Sequence, residues 1–250
     1  MIKINFLSDI HLEFLGYKWH LSETNADLII LNGDIGSGLR TYEWAIRESE
    51  RLDKTILMVL GNHEYYNEDF TLSNRAKEYV KGTNVHVLEK DVFEYRGYKI
   101  FGTTLWTDYN LYGEPMQKIA MKAASDFMSD HKLITYENRA FTPEDALLEH
   151  KVSMIWLNSG LQTTAPKIVV THHAPTFHAG HPMFRGDMCT PAFCSDLEGF
   201  IIERKPLLWL SGHSHHVYRK QIGDTLCMSN TKGYKNEGIL HFDPELIVEV

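Results

Sequence analysis

Five short apolar runs, each followed at once by a polar block rich in aspartate, asparagine and histidine, constrain this chain more than any other feature. The runs are Lys3–Leu7, Leu28–Leu31, Ile56–Leu60, Ile168–Val170 and Leu207–Leu210, and they read as strands buried on both faces. The blocks are SDIH (Ser8–His11), NGDI (Asn32–Ile35), GNHE (Gly61–Glu64), THHAP (Thr171–Pro175) and GHSHH (Gly212–His216). In α/β sheets the loops beyond the carboxyl ends of strands converge, so side chains remote in sequence meet there. Between the second and third runs, Arg40–Leu52 holds helix formers with neither Gly nor Pro. Strand, helix, strand in that order predicts a right-handed crossover and parallel pairing.

The rest of the chain supports an α/β reading with a second sheet. Val92–Gly102 (VFEYRGYKIFG) alternates around Arg96-Gly97, a hairpin signal. Helices are predicted over Met116–His131 and from Thr142, an N-cap followed by Pro143. Leu147, Met154 and Leu161 recur along the second of these, and Thr163–Pro166 ends it. Ser195–Glu198 reads as a capping box opening a short helix that carries Leu197, Ile201 and Ile202. Leu226–Asn230 and then Gly238–Phe242 are the last apolar segments, the second predicted as a final strand. With no repeat or linker in sight, 250 residues at 43% apolar and 23% charged are enough for one domain over 1–250 around a single core.

Charge and cysteine content narrow the function classes. Lys+Arg is 25 against Asp+Glu 33, a net charge of −8, which argues against coating of nucleic acid without sequence preference. A nucleotide-derived substrate held through bound cations stays compatible with that balance. The three cysteines form no C-x-x-C pair, so neither a disulfide framework nor a thiolate zinc site is expected. No apolar run approaches the ~18 residues of a membrane span, and Asp9 and His11 interrupt the apolar N-terminus, so no membrane partner and a cytoplasmic setting are expected.

The chemistry resides in the histidines, 14 in all, seven of them inside the five blocks. Imidazoles mixed with hard oxygen donors and no thiol suit divalent Mn, Fe, Zn or Co. Asp9 and His11 lie two apart, as do His213 and His215, and in extended backbone such pairs point the same way. Asp34 follows a glycine at a strand end, and its carboxylate has two oxygens with which to bridge two cations. The candidate metal ligands are Asp9, His11, Asp34, Asn62, His172, His213 and His215. With Asp34 bridging, they serve two ions and leave positions open for water and substrate.

In their order and content the five blocks resemble the calcineurin-like metallophosphoesterase superfamily, with its D-x-H, G-D, G-N-H-[DE], strand-end histidine and G-H-x-H blocks, here spanning Asp9 to His215. The resemblance implies a four-layer α/β/β/α sandwich of two mixed sheets. It also implies one metal at Asp9, His11 and His215, another at Asn62, His172 and His213, and Asp34 between them. His172 directly ends the apolar strand, and His173 is the alternative. His63 would be the histidine beside the scissile phosphate, with Glu64 or another acid orienting it. The implied activity is hydrolysis of a small phosphodiester or phosphomonoester by two-metal activation of a bridging water, with Mn the first choice and Fe, Zn, Co or Ni alternatives. A DNA or RNA nuclease and a noncatalytic scaffold of the same fold are the competing readings, and the intact ligand set counts against the scaffold.

The protein-phosphatase branch fits less well, because Leu12 and Leu60 stand where it has glycine and arginine. Ser229–Gly238 (SNTKGYKNEG) resembles the N-P-R-G-Y region of small bacterial and phage members but has Asn230-Thr231-Lys232 in place of Asn-Pro-Arg. In the Thr176–Cys194 loop, His178, His181 and Arg185 are candidate contacts for phosphate or leaving group. Tyr65 and Tyr66 either stack on a base or pack beneath the loop. His20, His86, His131, His150 and His241 are expected at the surface or in packing roles.

Overall fold

The computed structural model describes residues 1–250. Its first half runs β1 (Lys3–Leu7), α1 (Leu12–Leu15), β2 (Leu28–Asn32), α2 (Arg40–Leu52), β3 (Thr55–Val59), α3 (Leu72–Tyr79), β4 (Val85–Val87), β5 (Asp91–Tyr95) and β6 (Tyr98–Thr103). There follow α4 (Glu114–Phe127), α5 (Asp130–Leu133), the small pair β7 (Thr135–Tyr136) and β8 (Arg139–Ala140), α6 (Pro143–Gly160) and β9 (Lys167–Thr171). The chain closes with α7 (Glu198–Arg204), β10 (Leu208–Ser211), β11 (Arg219–Ile222), β12 (Thr225–Ser229) and β13 (Ile247–Glu249).

Two mixed sheets stack face to face. One has the order β13-β1-β2-β3-β4 and the other β11-β12-β10-β9-β6-β5. Within the first, β1 to β4 pair in parallel and β13 is antiparallel to β1. In the second, β6, β9, β10 and β12 are parallel while the outer strands β5 and β11 run against them. The predicted crossover through α2 and the hairpin around Arg96-Gly97 are both present.

The strands alternate between two apolar environments, which is why their sequences read as unbroken apolar runs. Ile4 and Phe6 on β1, Leu28 and Ile30 on β2, and Leu57 and Val59 on β3 face the other sheet. There they meet Ile168 and Val170 on β9 and Leu208 and Leu210 on β10. The intervening Ile29, Leu31, Ile56 and Met58 pack outward against Tyr42, Trp44 and Ala45 of α2 and Leu72 and Ala76 of α3. On the far side, Val169 and Trp209 pack under Leu157 of α6 and Ile201 of α7. The result is the four-layer α/β/β/α sandwich, and it leaves the five block-bearing strands in sheet interiors with their polar loops at one end.

Three local expectations are corrected. Gly238–Phe242 forms no strand: Gly238 and His241 take left-handed φ of 60° and 70°, which breaks the extended run, and Ile247–Glu249 is the strand that pairs with β1. Ser195 does not cap a helix. Its hydroxyl accepts from the Asp108 N–H at 3.2 Å, Thr176 Oγ1 donates to Glu198, and the helix starts at Glu198. The predicted Met116–His131 helix is two, because Met128 turns extended at ψ 137° between Phe127 and Asp130. At Thr142 the reading holds in full: its hydroxyl accepts from the Asp145 N–H, and the Asp145 carboxylate accepts from the Thr142 N–H at 2.8 Å.

Candidate metal centre

The polar blocks of both sheets meet at one rim, and two threads of hydrogen bonds sew them together. His172, after β9, donates from Nδ1 to the Asn32 carbonyl on β2 at 2.8 Å, and the His213 N–H, after β10, donates to Asp9 Oδ1 at 3.1 Å. Five of the seven candidate ligands have left-handed backbone: Asp9 (φ 55°), His11 (54°), Asp34 (53°), His213 (68°) and His215 (45°). The Asp9/His11 and His213/His215 pairs therefore converge through consecutive tight turns, not through the extended backbone that the i, i+2 spacing suggested. Such conformations cost of order 1–3 kcal/mol each in non-glycine residues and persist where the surroundings enforce them.

Two glycines are required by closeness. A Cβ on Gly33, itself at φ 85°, would lie 2.5 Å from His172 Nδ1, and one on Gly61 would lie 2.1 Å from Asp34 Oδ1. Glu64 locks the same corner. Its buried carboxylate accepts backbone N–H groups from Gly61 at 2.6 Å, Ile35 at 2.8 Å, Asp34 at 2.9 Å and Gly36 at 3.3 Å. Burial pushes this carboxyl up to about 7, the Asp34 charge adds to that, and the N–H bonds pull against it.

Two donor clusters result, Asp9–His11–His215 and Asp34–His172–His213, and a third grouping of His11, Asp34 and His63 joins them. Donors about 2.1 Å from one cation stand about 3.0–3.4 Å apart at octahedral or tetrahedral angles. The observed spacings match. His11 Nε2 is 3.0 Å from His215 Nε2, and His215 Nε2 is 3.5 Å from Asp9 Oδ1. His172 Nε2 is 3.2 Å from His213 Nδ1, 3.1 Å from Asn62 Oδ1 and 3.4 Å from Asp34 Oδ1. Asn62 is oriented for this by Asp130 Oδ1 and the Tyr66 hydroxyl, each 2.9 Å from its amide nitrogen, which turns the amide oxygen toward His172.

His173 instead faces the Thr104 carbonyl at 3.2 Å from Nδ1 and belongs to neither cluster. Burial, then the neighbouring His172, drives its pKa down to about 3.

The cluster electrostatics call for positive charge. Burial opposes protonation of His172 and His215, yet Asp34 holds the first up to about 9, and Asp9 with Glu237 holds the second up to about 10. Protons thus take the role that a cation would fill, and divalent ions would displace them. An all-imidazole and oxygen donor set with no sulfur fits Mn, Fe, Zn, Co or Ni and names none of them.

His63 stands beside the clusters with Nε2 3.9 Å from Asp34 Oδ2. Its Nδ1 is 2.9 Å from Glu13 Oε1, the same oxygen that lies 3.3 Å from His11 Nδ1. Glu13, not Glu64, is the acid that orients this imidazole. The His63 ring also lies 4.3 Å from that of Tyr66 and its Nε2 3.0 Å from the Tyr234 hydroxyl. Tyr65 is buried, stacked on Phe70 at 5.0 Å, which settles it as packing.

The polar contacts of the loop candidates lie outside both clusters. His178 Nε2 is 3.6 Å from Glu198, His181 accepts from the Met183 N–H at 3.2 Å and sits edge-on to His216, and Arg185 is exposed. His131 and His150 are buried packing residues that face the Phe141 and Trp106 carbonyls. Glu13, Asp130, Tyr234 and Glu237 escaped the sequence reading. Glu13 had proximity to the first block as a signal and Tyr234 its G-Y context, whereas Asp130 and Glu237 had none.

The chain is similar to several known proteins. A mimivirus protein (Acanthamoeba polyphaga mimivirus), uncharacterized protein L509, is 24% identical over 277 residues, covering 99% of this chain and 96% of its own. Phosphopantetheinyl hydrolase from Mycobacterium tuberculosis superposes with a TM-score of 0.69 at 14% identity, over 93% of this chain and 89% of that one. The Thermus thermophilus protein TT1561 gives 0.55 at 15% identity, over 92% and 89%. No helix is long and apolar enough to cross a membrane. The sequence pattern of the calcineurin-like phosphoesterases matches residues 2–217, and the chain belongs to that family of metal-dependent phosphoesterases.

Proposed function

We propose that this protein hydrolyses a small phosphoester, a phosphodiester or a phosphomonoester, at a two-metal centre held by Asp9, His11, Asp34, Asn62, His172, His213 and His215. The observation that carries the reading is the position of Asp34: one buried carboxylate belongs both to the His172–His213 cluster and to the grouping of His11 with His63. When bound, two divalent cations, manganese first, supply Lewis-acid charge to phosphoryl oxygens and lower the pKa of a shared water toward ~7.

The chain's own residues do the rest. The His63 N–H donates to Asp34 Oδ1 at 2.8 Å, so the bridging carboxylate and the catalytic imidazole are fixed by one backbone bond. With Nδ1 tied to Glu13, the imidazole directs Nε2 into the space beside Asp34. From there it gives its proton to the leaving oxygen as the bond from phosphorus to that oxygen breaks and the bond to the attacking water oxygen forms. A nucleotide-derived ester is compatible with the net charge of −8 only through the cations, since the protein itself repels phosphate.

The test is turnover of a chromogenic phosphodiester and the matching monoester, with and without Mn²⁺, alongside metal analysis. Metal-dependent turnover is expected, with both metals lost in Asp34→Ala and both retained, at much lower rate, in His63→Ala. Near-normal rate and metal content in Asp34→Ala would overturn the assignment.

A further inference from the structure

Residue 217 ends the family match, yet two side chains that touch the site come from beyond it. After β12 the chain crosses back to the other sheet. Asn230 Nδ2 donates to the Phe6 carbonyl on β1 at 2.8 Å, Ser8 bridges to Thr231, and the Lys232 N–H donates to the Ser8 carbonyl at 3.1 Å. The backbone of this segment therefore lies alongside the first polar block. It then turns at Gly233, φ 66°, where a Cβ would lie 2.6 Å from Glu237 Oε2.

That turn delivers Tyr234 over the centre. Its ring centroid is 4.4 Å from that of His11 and 4.7 Å from that of His215. Its hydroxyl is 3.0 Å from His63 Nε2. One oxygen of Glu237 holds the arrangement: Oε2 is 2.6 Å from His215 Nδ1 and accepts the Tyr234 N–H at 2.8 Å. A metal-ligand candidate and the backbone of Tyr234 are thus tied to a single atom.

The hydroxyl occupies the place, within hydrogen-bond reach of Nε2, where a leaving oxygen must come to take the His63 proton. We propose that Tyr234 is a further catalytic residue, whose O–H yields Nε2 to the substrate and donates a hydrogen bond to the leaving oxygen, with Glu237 as its positioning residue. The proposal rests on the phosphoesterase reading. Tyr234 keeps its own proton throughout: the leaving oxygen takes the His63 proton as its bond to phosphorus breaks, and the phenol stabilises the charge on that oxygen by hydrogen bonding alone.

The experiment uses the full chain, wild type and Tyr234→Phe, loaded with Mn²⁺ and offered a p-nitrophenyl and an alkyl ester of the same phosphate. A half-buried neutral donor is expected to contribute less than the ~10²–10³ in rate of a preorganised oxyanion donor, so kcat should fall about 10- to 100-fold. The loss should be larger for the alkyl ester, whose leaving oxygen develops more charge, while KM and bound manganese stay near wild type. An unchanged kcat, an equal loss for both esters, or parallel loss of metal would overturn the proposal.

A second readout needs no turnover. In metal-free protein the ¹⁵N resonance of His63 Nε2 should shift in Tyr234→Phe, and no shift would overturn the contact itself. Absence of turnover by wild type would count against the phosphoesterase reading, and the resonance would still decide the Tyr234 contact. Glu237→Ala should move the same resonance in the same direction, since it releases the Tyr234 backbone.

Discussion

Replacing Glu64 by alanine is expected to destabilise the protein by several kcal/mol although Glu64 is neither a proposed ligand nor the partner of His63. Its carboxylate is the acceptor for the backbone N–H groups of Gly61, Asp34, Ile35 and Gly36 at 2.6, 2.9, 2.8 and 3.3 Å. A buried donor left without an acceptor costs ~1–3 kcal/mol. Counting only the three bonds below 3.0 Å, the substitution removes roughly 3–9 kcal/mol. Removing a buried charge returns part of that. Burial, aided by Asp34, pushes the carboxyl up to about 7 from an ordinary 4.5, which is worth roughly 3 kcal/mol at neutral pH.

The net loss is therefore about 0–6 kcal/mol with its centre near 3, a large share of the ~5–15 kcal/mol that holds a typical domain. Glutamine should not rescue, because its amide N–H₂ would face backbone N–H donors where the carboxylate accepted them. Urea unfolding of metal-free wild type, Glu64→Ala and Glu64→Gln, followed by tryptophan fluorescence, reads the loss directly. No loss of stability in Glu64→Ala, or wild-type stability in Glu64→Gln, would refute the reasoning that the four N–H bonds hold this corner.

Four further outcomes are expected. Glu13→Ala, which frees both His11 and His63, should weaken Mn²⁺ binding by ~10-fold or more in calorimetric titration and lower kcat beyond that. Gly33→Ala should disrupt the His172 cluster and destabilise the protein together, since the new methyl would lie 2.5 Å from His172 Nδ1 and 2.6 Å from the Gly61 backbone nitrogen; metal analysis beside urea unfolding checks both. Burial lowers the His150 pKa below its ordinary 6.5, so below that pH the unfolded chain takes up a proton that the folded one refuses. Stability should then fall as pH drops from 6.5, by up to ~1.4 kcal/mol per pH unit, and His150→Gln should flatten that slope in urea titrations. Asp145→Ala loses the N-cap partner and the Arg139 pair, so its melting temperature should fall with a cost of about 1–2 kcal/mol.

What was legible in the sequence was whatever is encoded locally. An apolar run such as Ile56–Leu60 states its own burial, and a block such as G-N-H-E places its donors at the end of that strand whatever the remainder does. Position within a block did not reveal which way a side chain turns. Glu64 adjoins His63 in sequence, but the single turn His63–Tyr65 sends the two apart, one to backbone N–H groups and one to Glu13. The supporting residues were hidden for a related reason. Tyr234 meets His63 across 171 residues and Asp130 meets Asn62 across 68, contacts that exist only once both sheets are stacked. Gly238–Phe242 failed as a strand because apolarity marks burial and does not specify a pairing partner. The left-handed turns at Asp9, His11 and His215 likewise have no adjoining glycine to announce them.

The layer between the sheets has a second office besides cohesion. Donors from the β1–β3 loops and donors from the β9 and β10 loops belong to different sheets, so the thickness of the Ile4, Phe6, Ile30, Val170 and Leu210 layer sets how far apart they stand. Stacked sheets lie about 10 Å apart and interiors are close-packed, so a methylene added or deleted there must be absorbed by movement of one sheet relative to the other. The interior thus acts as a calliper for the rim: conservative substitutions far from any ligand would retune which ion radius the centre prefers before they measurably unfold the protein.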